Sequence, residues 1–419
     1  MSLRDLFVDT IRTLWAHKLR AGLTMFGIAW GIVSITLMVG AGEGLRVGQQ
    51  QQTRNLGKDL LIVWAGRTSM QEGGARAGRR IRWLDTDHQQ LQTEATACRY
   101  ILPELERGET PVRSSHNAGA LLITGSLPEF ADLRSIDVAE GRFYNWDDVH
   151  EVRRVAFLGS DARKQLFASG EAIGQTISIG DFPYKVIGVM KFKEQDSSYD
   201  GRDVSKVFIP FPAMQQDFPT GPPSPPHTID QMLVAPASLE EHEECKWQIQ
   251  RGLGRIHNFN PHDKEAIPIW DTVENLKQFQ HMTDGMKYFL GAVGIVTLVL
   301  GGIGVMNVMM VAVRERTREI GVRKAVGATS RSILTLFFIE AMMIVFLSGA
   351  VGLTVAYGLC VAVNQLPMPP FFAGLLPTWQ TSILSAALLG LVAVGSAIYP
   401  ASRAASVDPI EALRFEAGG

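Results

Sequence analysis

Three stretches of this sequence contain no Asp, Glu, Lys or Arg: residues 21–42, 288–313 and 341–402. No other feature restricts the fold as much. A helix that crosses a bilayer needs roughly 20 consecutive apolar residues, because the hydrocarbon core is about 30 Å thick and each residue rises about 1.5 Å. The first two windows each suit one crossing. The third is too long for one helix and is interrupted by "LPMPPFFAGLLP", whose prolines break a helix. It reads as two spans joined by a Pro-rich turn, the earlier span beginning near Ser332. A buried core helix accounts for one such window but not for four. The expected fold class is therefore an α-helical membrane protein with four transmembrane helices and a large mixed α/β domain between helices 1 and 2.

The expected organisation is as follows. An interfacial helix covers 1–20, and spans cover 21–42, 288–313, 332–364 and 380–402. The large domain covers 43–287, a charged segment 314–331, an outside loop 365–379 and a tail 403–419. In the N-terminal flank, Leu3, Leu6, Phe7, Ile11, Leu14 and Trp15 recur at helical spacing with Arg4, Arg12 and Lys18 between them. This suits a helix lying in the membrane interface. The flank is too long for the charged start of a signal peptide, so the first span is read as uncleaved.

Cations near the spans set the orientation. The flank has Arg4, Arg12, Lys18 and Arg20, the segment 314–331 has six Lys or Arg, and the tail has Arg403 and Arg414, whereas the loop between the last two spans has none. Both termini and the charged segment are thus expected in the cytosol, and 43–287 outside. A net charge of -2 argues against a nucleic-acid binder, which carries a basic excess. Of three cysteines, Cys360 lies in a span, and Cys98 and Cys245 fall outside, near predicted helices. Whether those two pair stays open at this point.

Apolar or alternating runs predict strands at 60–66, 120–126, 154–160, 175–180, 184–190, 206–211 and 230–235. Helices are expected near Thr86–Thr96, Asp161–Phe167 and Leu239–Leu253, with Asp85 and Ser160 as caps of the first two. Residues 271–287 read as a helix running straight into the second span. No catalytic signature stands out. A Walker phosphate loop needs G-x-x-x-x-G-K-[ST], but the only Gly-Lys pair, Gly57-Lys58, is followed by Asp59. No H-E-x-x-H or G-x-S-x-G occurs. His257 and His262, and His242 between Glu241 and Glu243, read as surface polar residues rather than a metal site.

Glu340 is the one acid inside the third span. Its shallow depth favours pairing with a cation. Gly27 and Gly31 form a G-x-x-x-G pair, and Ser348/Gly352 and Ala386/Gly390 repeat the spacing. Such pairs let helix backbones approach closely, either within the chain or across a dimer.

The segment "RERTREIGVRKAVGATSRSIL" (314–334) carries more than orientation requires. Glu319 and Arg323 stand in the favourable i,i+4 order, and Glu315 precedes Arg318 by three. Gly321 and Gly327 favour a bent or two-piece element over one rod. Ile320, Val322, Ala325 and Val326 add an apolar component.

This segment, with the preceding "GGIGVMNVMMVAV" and the following "FFIEAMMIVFLSGAVG", resembles the signature of the FtsX/MacB permease superfamily of ATP-binding-cassette systems. So do "HKLRAGLTMFGIAWGI" (17–32) and the tail "YPASRAASVDPIEALRFE" (399–416). "AEGRFYNWDDV" (139–149), "RVAFLGSDARKQLF" (154–167), "AIGQTISIGDFPYKVIGVMK" (172–191) and "VFIPF" (207–211) resemble the MacB-type outside domain. The resemblance covers nearly the whole chain in order.

It implies a dimeric permease, homo- or heteromeric, in a bacterial cytoplasmic (inner) membrane. It implies an outside domain of Porter-like and Sabre-like parts, the latter at about 125–220. It also implies that the charged segment is a coupling helix seated on an ATPase, with Glu315, Arg318, Glu319, Ile320, Gly321, Arg323 and Lys324 as the contact. No cofactor is expected in this chain; ATP and Mg would be held by a separate ATPase subunit. A periplasmic adaptor or outer-membrane component is a further implied partner. Export or extrusion of a substrate is the expected function. The alternatives are a lipoprotein-releasing permease and a membrane sensor or scaffold that regulates an outside enzyme.

Overall fold

The computed structural model describes residues 18–57, 59–71, 76–168, 170–195, 199–221 and 224–414. The expected interfacial helix lies almost wholly outside the described residues. The chain divides into two compact units, Gln49–Phe279 and the combination of Met1–Gly48 with Gln280–Gly419.

The second of these is helical. It contains most of α1 (Lys18–Leu56) and α8 (Thr272–Glu315), and all of α9 (Thr317–Ala325), α10 (Ser330–Asn364), α11 (Trp379–Ala405) and α12 (Pro409–Arg414). Four of them, α1, α8, α10 and α11, are long and apolar enough to cross a membrane. α1 and α8 have 39 and 44 residues, about 58 and 66 Å of helix, far more than a bilayer core needs. The unit boundary falls inside each, so the chain changes unit twice without leaving a helix.

Small residues set the packing of this bundle. Cβ atoms added at Gly27 and Gly31 would lie 3.6 Å from Gly301 Cα and 3.3 Å from Leu298 Cα. Gly304 faces Thr24 and Gly294 faces Ile35 from the other side of the seam. A dimer contact through Gly27 and Gly31 was one expectation; in this structure α8 of the same chain occupies that stripe. Gly352 packs on Ala29, where a Cβ would be 2.8 Å from the carbonyl oxygen, whereas Gly390 has nothing within 4 Å. A second stripe, Gly40, Gly44 and Gly48, receives the backbone of the loop between α10 and α11. Ala373 N donates to Gly44 O and Leu376 N to Gly40 O, both at 3.0 Å. A Cβ at Gly44 would sit 1.7 Å from Gly374 O, so only glycine permits this docking.

The Gln49–Phe279 unit is mixed α/β. Its strands are β1 (Leu61–Trp64), β2 (Trp83–Leu84), β3 (Cys98–Arg113), β4 (Ala118–Ser126), β5 (Val138–Gly141), β6 (Val155–Leu158), β7 (Thr176–Ile179), β8 (Phe182–Met190), β9 (Lys206–Pro210), β10 (Thr228–Ile229), β11 (Gln231–Pro236) and β12 (Ile269–Asp271). Its helices are α2 (Asp85–Glu94), α3 (Phe130–Leu133), α4 (Trp146–His150), α5 (Ser160–Phe167), α6 (Phe211–Asp217) and α7 (His242–His257). The main sheet runs β12-β1-β11-β3-β4-β9-β6-β8-β5, and β7 pairs with both β3 and β8. That last pairing closes the circuit β3-β4-β9-β6-β8-β7 on itself, which removes open edges there. The pairs β4–β9 and β6–β8 are parallel and the others antiparallel. β6, β9 and β11 are buried along their whole length, so after Lys206 and Gln231 at the starts of the last two they read as apolar runs.

β3 joins the two halves of this sheet. Tyr100–Glu104 pair with β11 and Leu105–Arg113 with β4. A disulfide ties Cys98 at its start to Cys245 on α7. Cys98 opens a strand just after α2, and its N–H donates to Ala95 O at 3.1 Å. The expected caps differ. Asp85 lies inside α2, and the Asp87 carboxylate instead accepts from Leu84 N at 2.7 Å. Ser160 is the first residue of α5, with Gly159 before it.

Candidate functional site

The charged segment folds as two pieces. α8 ends at Glu315, Arg316 interrupts it, and α9 follows. Gly327, at φ +104°, makes the turn that a side chain would strain. Thr329 then caps α10 by accepting from Ser332 N at 3.2 Å.

Seven residues here are the sequence candidates. Glu315 and Arg318 are exposed. Arg323 donates to Glu319 at 2.6 Å, and their side chains are 36% and 52% exposed. The other three face inward. Ile320 is 2% exposed and belongs to the helical core. Gly321 is buried against Ala412 of α12. The Lys324 ammonium donates to Ala405 O at 2.5 Å and Val407 O at 2.8 Å. These three therefore lie behind the surface that a partner would meet.

Glu340 is 4% exposed. Arg316 donates to both of its carboxylate oxygens at 3.2 Å. The acid stands out in the sequence but its partner does not, since 24 residues and a helix break separate them. Beside α9, a groove of about 1060 Å³ is lined by Val322, Arg323, Val326, Thr329, Arg331 and Ile339 among others. The segment thus presents Glu315, Arg318, Glu319 and Arg323 outward on an anchored base. This geometry is suited to contact.

Two clusters of ionisable groups among the described residues of the Gln49–Phe279 unit bring several acids or acid–cation contacts together. In the first, Asp203 receives Arg134 at 2.6 Å and Lys193 at 2.7 Å, all three nearly or fully buried. Burial pushes its carboxyl up, but Arg134, Lys193 and Lys206 outweigh that and hold it well below the usual range. Next to it, Lys206 pairs with Asp200, and Glu104 accepts from Tyr199 at 2.6 Å and Gln231 at 3.0 Å. Gln231 also donates to Glu106 at 2.6 Å. The Glu104 and Glu106 carboxyls are both pushed up, by burial first and then by neighbouring acids, Asp200 among them. Glu104, Glu106 and Asp200 bring oxygens within 4.8 Å of one another, close enough for a cation, but Lys206 and Gln231 already donate into the group.

In the second cluster, Asp271 caps α8 by accepting from Val273 N and Glu274 N at 3.1 and 2.9 Å. Its other oxygen meets His242 and Lys246, both at 2.9 Å. Burial raises the Asp271 carboxyl, but His242, Glu274 N and Lys246 together hold it well below the usual range. His242 is therefore a buried partner of Asp271 rather than the surface residue expected. His257 bonds Asp87 at 2.7 Å, and His262 stacks on Trp247.

The family profile of the MacB-like periplasmic core domain matches residues 21–251, and that of the FtsX-like permease C-terminal matches 291–409. A macrolide export ATP-binding/permease protein MacB from Shewanella oneidensis is 32% identical over 407 residues, 96% of this chain and 59% of that protein. The protein of the same name from Neisseria gonorrhoeae is 29% identical over 420 residues, 98% of this chain and 61% of its own. The chain thus spans about three fifths of the length of these relatives. Among solved structures, the periplasmic region of MacB from Actinobacillus actinomycetemcomitans aligns with a TM-score of 0.42 at 17% identity, covering 55% of this chain and 96% of that one.

Proposed function

Since this chain belongs to the family that joins a MacB-like periplasmic core domain to an FtsX-like permease domain, and is a multi-pass membrane protein, we propose that it is the permease part of an ATP-binding-cassette system. In this reading it passes ATP-driven motion from a separate ATPase subunit to its extracytoplasmic domain, for export or extrusion of a substrate. ATP and Mg are bound outside these 419 residues, which contain no Walker phosphate loop. The permease pairs with a second permease chain, of the same or another kind, and works with a periplasmic adaptor or outer-membrane component.

One observation carries the proposal. A short charged helix between two apolar helices is held from behind by Lys324, Gly321 and the Arg316–Glu340 pair, while Glu319 and Arg323 stay exposed. A simple connector needs no such anchoring. The orientation, with both termini cytosolic in a bacterial inner membrane, is supported by the cation bias and by the Cys98–Cys245 disulfide, which suits an oxidising compartment.

The test is the pair Glu319→Ala and Arg323→Ala in one chain, purified with its ATPase. Both side chains are exposed and bond each other, so the change costs under about 0.5 kcal/mol of stability. Expression is expected to be normal, with the ATPase lost or its hydrolysis uncoupled. Unchanged coupling at normal expression refutes the proposal.

A further inference from the structure

The exposed residues of α9 account for contact with a partner but not for what the rest of the helix does. Its C-terminal end is seated on the end of α11. A helix ends with carbonyls that lack intrahelical partners, and the helix dipole makes that end negative. Ala405 O is one of these carbonyls and Val407 O follows it, and the Lys324 ammonium reaches both, at 2.5 and 2.8 Å. The ammonium therefore caps a helix other than its own. One turn earlier on α9, Gly321 lies so near α12 that a Cβ there would sit 2.5 Å from Ala412 Cβ. Ala412 is itself 1% exposed.

We propose that Lys324 and Gly321 are positioning residues, Lys324 fastening α9 to the end of the fourth span and Gly321 seating it on α12 just beyond, so that a push on α9 is delivered to α11 as well as along its own chain to α8 and α10. This rests on the reading of α9 as the ATPase-facing element. It separates that element into an outer face, which meets the partner, and an inner face, which transmits.

The variants are Lys324→Met, which keeps length and removes the donors, Lys324→Arg, which restores them, and Gly321→Ala, which wedges α9 from α12. Hydrogen exchange on the full chain in nanodiscs, without ATPase, reads the seating. Lys324→Met is expected to speed exchange of the amides at 403–412 by about tenfold, the loss of charge-assisted bonds, with Lys324→Arg near wild type. A spin label at Ser402→Cys, in a Cys360→Ala background with ATPase bound, reads transmission. Its ATP-dependent spectral change is expected in wild type and Lys324→Arg and absent in Lys324→Met and Gly321→Ala, at unchanged ATPase binding.

Wild-type exchange in Lys324→Met overturns the seating. Faster exchange with an intact ATP-dependent change overturns the transmission. If Lys324→Met is not produced folded, Gly321→Ala decides by the same two readouts. If wild type binds no ATPase, the functional reading fails, and exchange alone still decides whether Lys324 seats the helix.

Discussion

Breaking the Cys98–Cys245 bond is the perturbation whose size follows most directly from the structure. The two cysteines are 147 residues apart in sequence, within a unit that spans Gln49–Phe279. A cross-link removes loop-closure entropy from the unfolded chain, and the loop-length relation gives about 5 kcal/mol for a separation of this size. Measured bonds usually deliver less, so about 2–4 kcal/mol is the working expectation. A unit of this length unfolds with an entropy near 0.5 kcal/mol/K, so the midpoint should fall by roughly 4–8 °C. The assay has two arms. Thiol titration of the denatured chain without reductant should count one thiol, Cys360, and three after reduction. Thermal unfolding, followed through the tryptophan fluorescence to which buried Trp83 contributes, should move down in Cys98→Ser/Cys245→Ser. Three thiols before reduction, or an unmoved midpoint in the double variant, would refute the reasoning.

Other consequences are equally specific. Gly44→Val should expel the loop between α10 and α11, since even a Cβ meets Gly374 O at 1.7 Å; amide exchange at Ala373 and Leu376 should rise, and protection as in wild type would count against it. Glu340→Ala should leave Arg316 without its carboxylate and cost about 1–3 kcal/mol, less than a fully buried pair because Arg316 is 28% exposed; thermal unfolding in detergent measures this. Stability should also depend on the Glu104/Glu106 pair. Their carboxyls are raised in the folded state, so the folded chain keeps protons that the unfolded chain gives up. That contribution is complete below the ordinary carboxylate range and is lost as pH rises through the folded values. Glu106→Gln should therefore flatten the fall of stability with rising pH, and parallel wild-type and variant curves would contradict this.

Legibility followed the range of the interactions. The four apolar helices were plain because each is written in consecutive residues, and the seven expected strands are all present because their runs are apolar or alternate. In the charged segment Gly327 does make the turn after α9, but Gly321 lies inside that helix and the break before it falls at Arg316, which nothing in the local sequence marks. β3, the longest strand, was missed. "CRYILPELERGETPVR" has two prolines, a buried Glu104 and a half-buried Glu106, which break the strand pattern. Those glutamates accept from Tyr199 and Gln231, some 95–127 residues away, which no local rule reveals. The same holds for Lys324: its charge was visible, but its acceptors are 81 and 83 residues further on. The Gly40/Gly44/Gly48 stripe was overlooked because what it accommodates is loop backbone, which leaves no pattern of its own.

Contact between α9 and an ATPase is what the proposed function depends on. The most direct measurement places a photoreactive side chain at position 319, irradiates membranes of the native host, and identifies the adduct by mass spectrometry. The same group at Tyr288, an exposed position on α8 near the opposite end of the second span, serves as the control. The expected result is an adduct with a Walker-motif ATP-binding polypeptide from position 319 and none from position 288. Adducts from position 319 that contain only lipid or only proteins without a nucleotide site would contradict it.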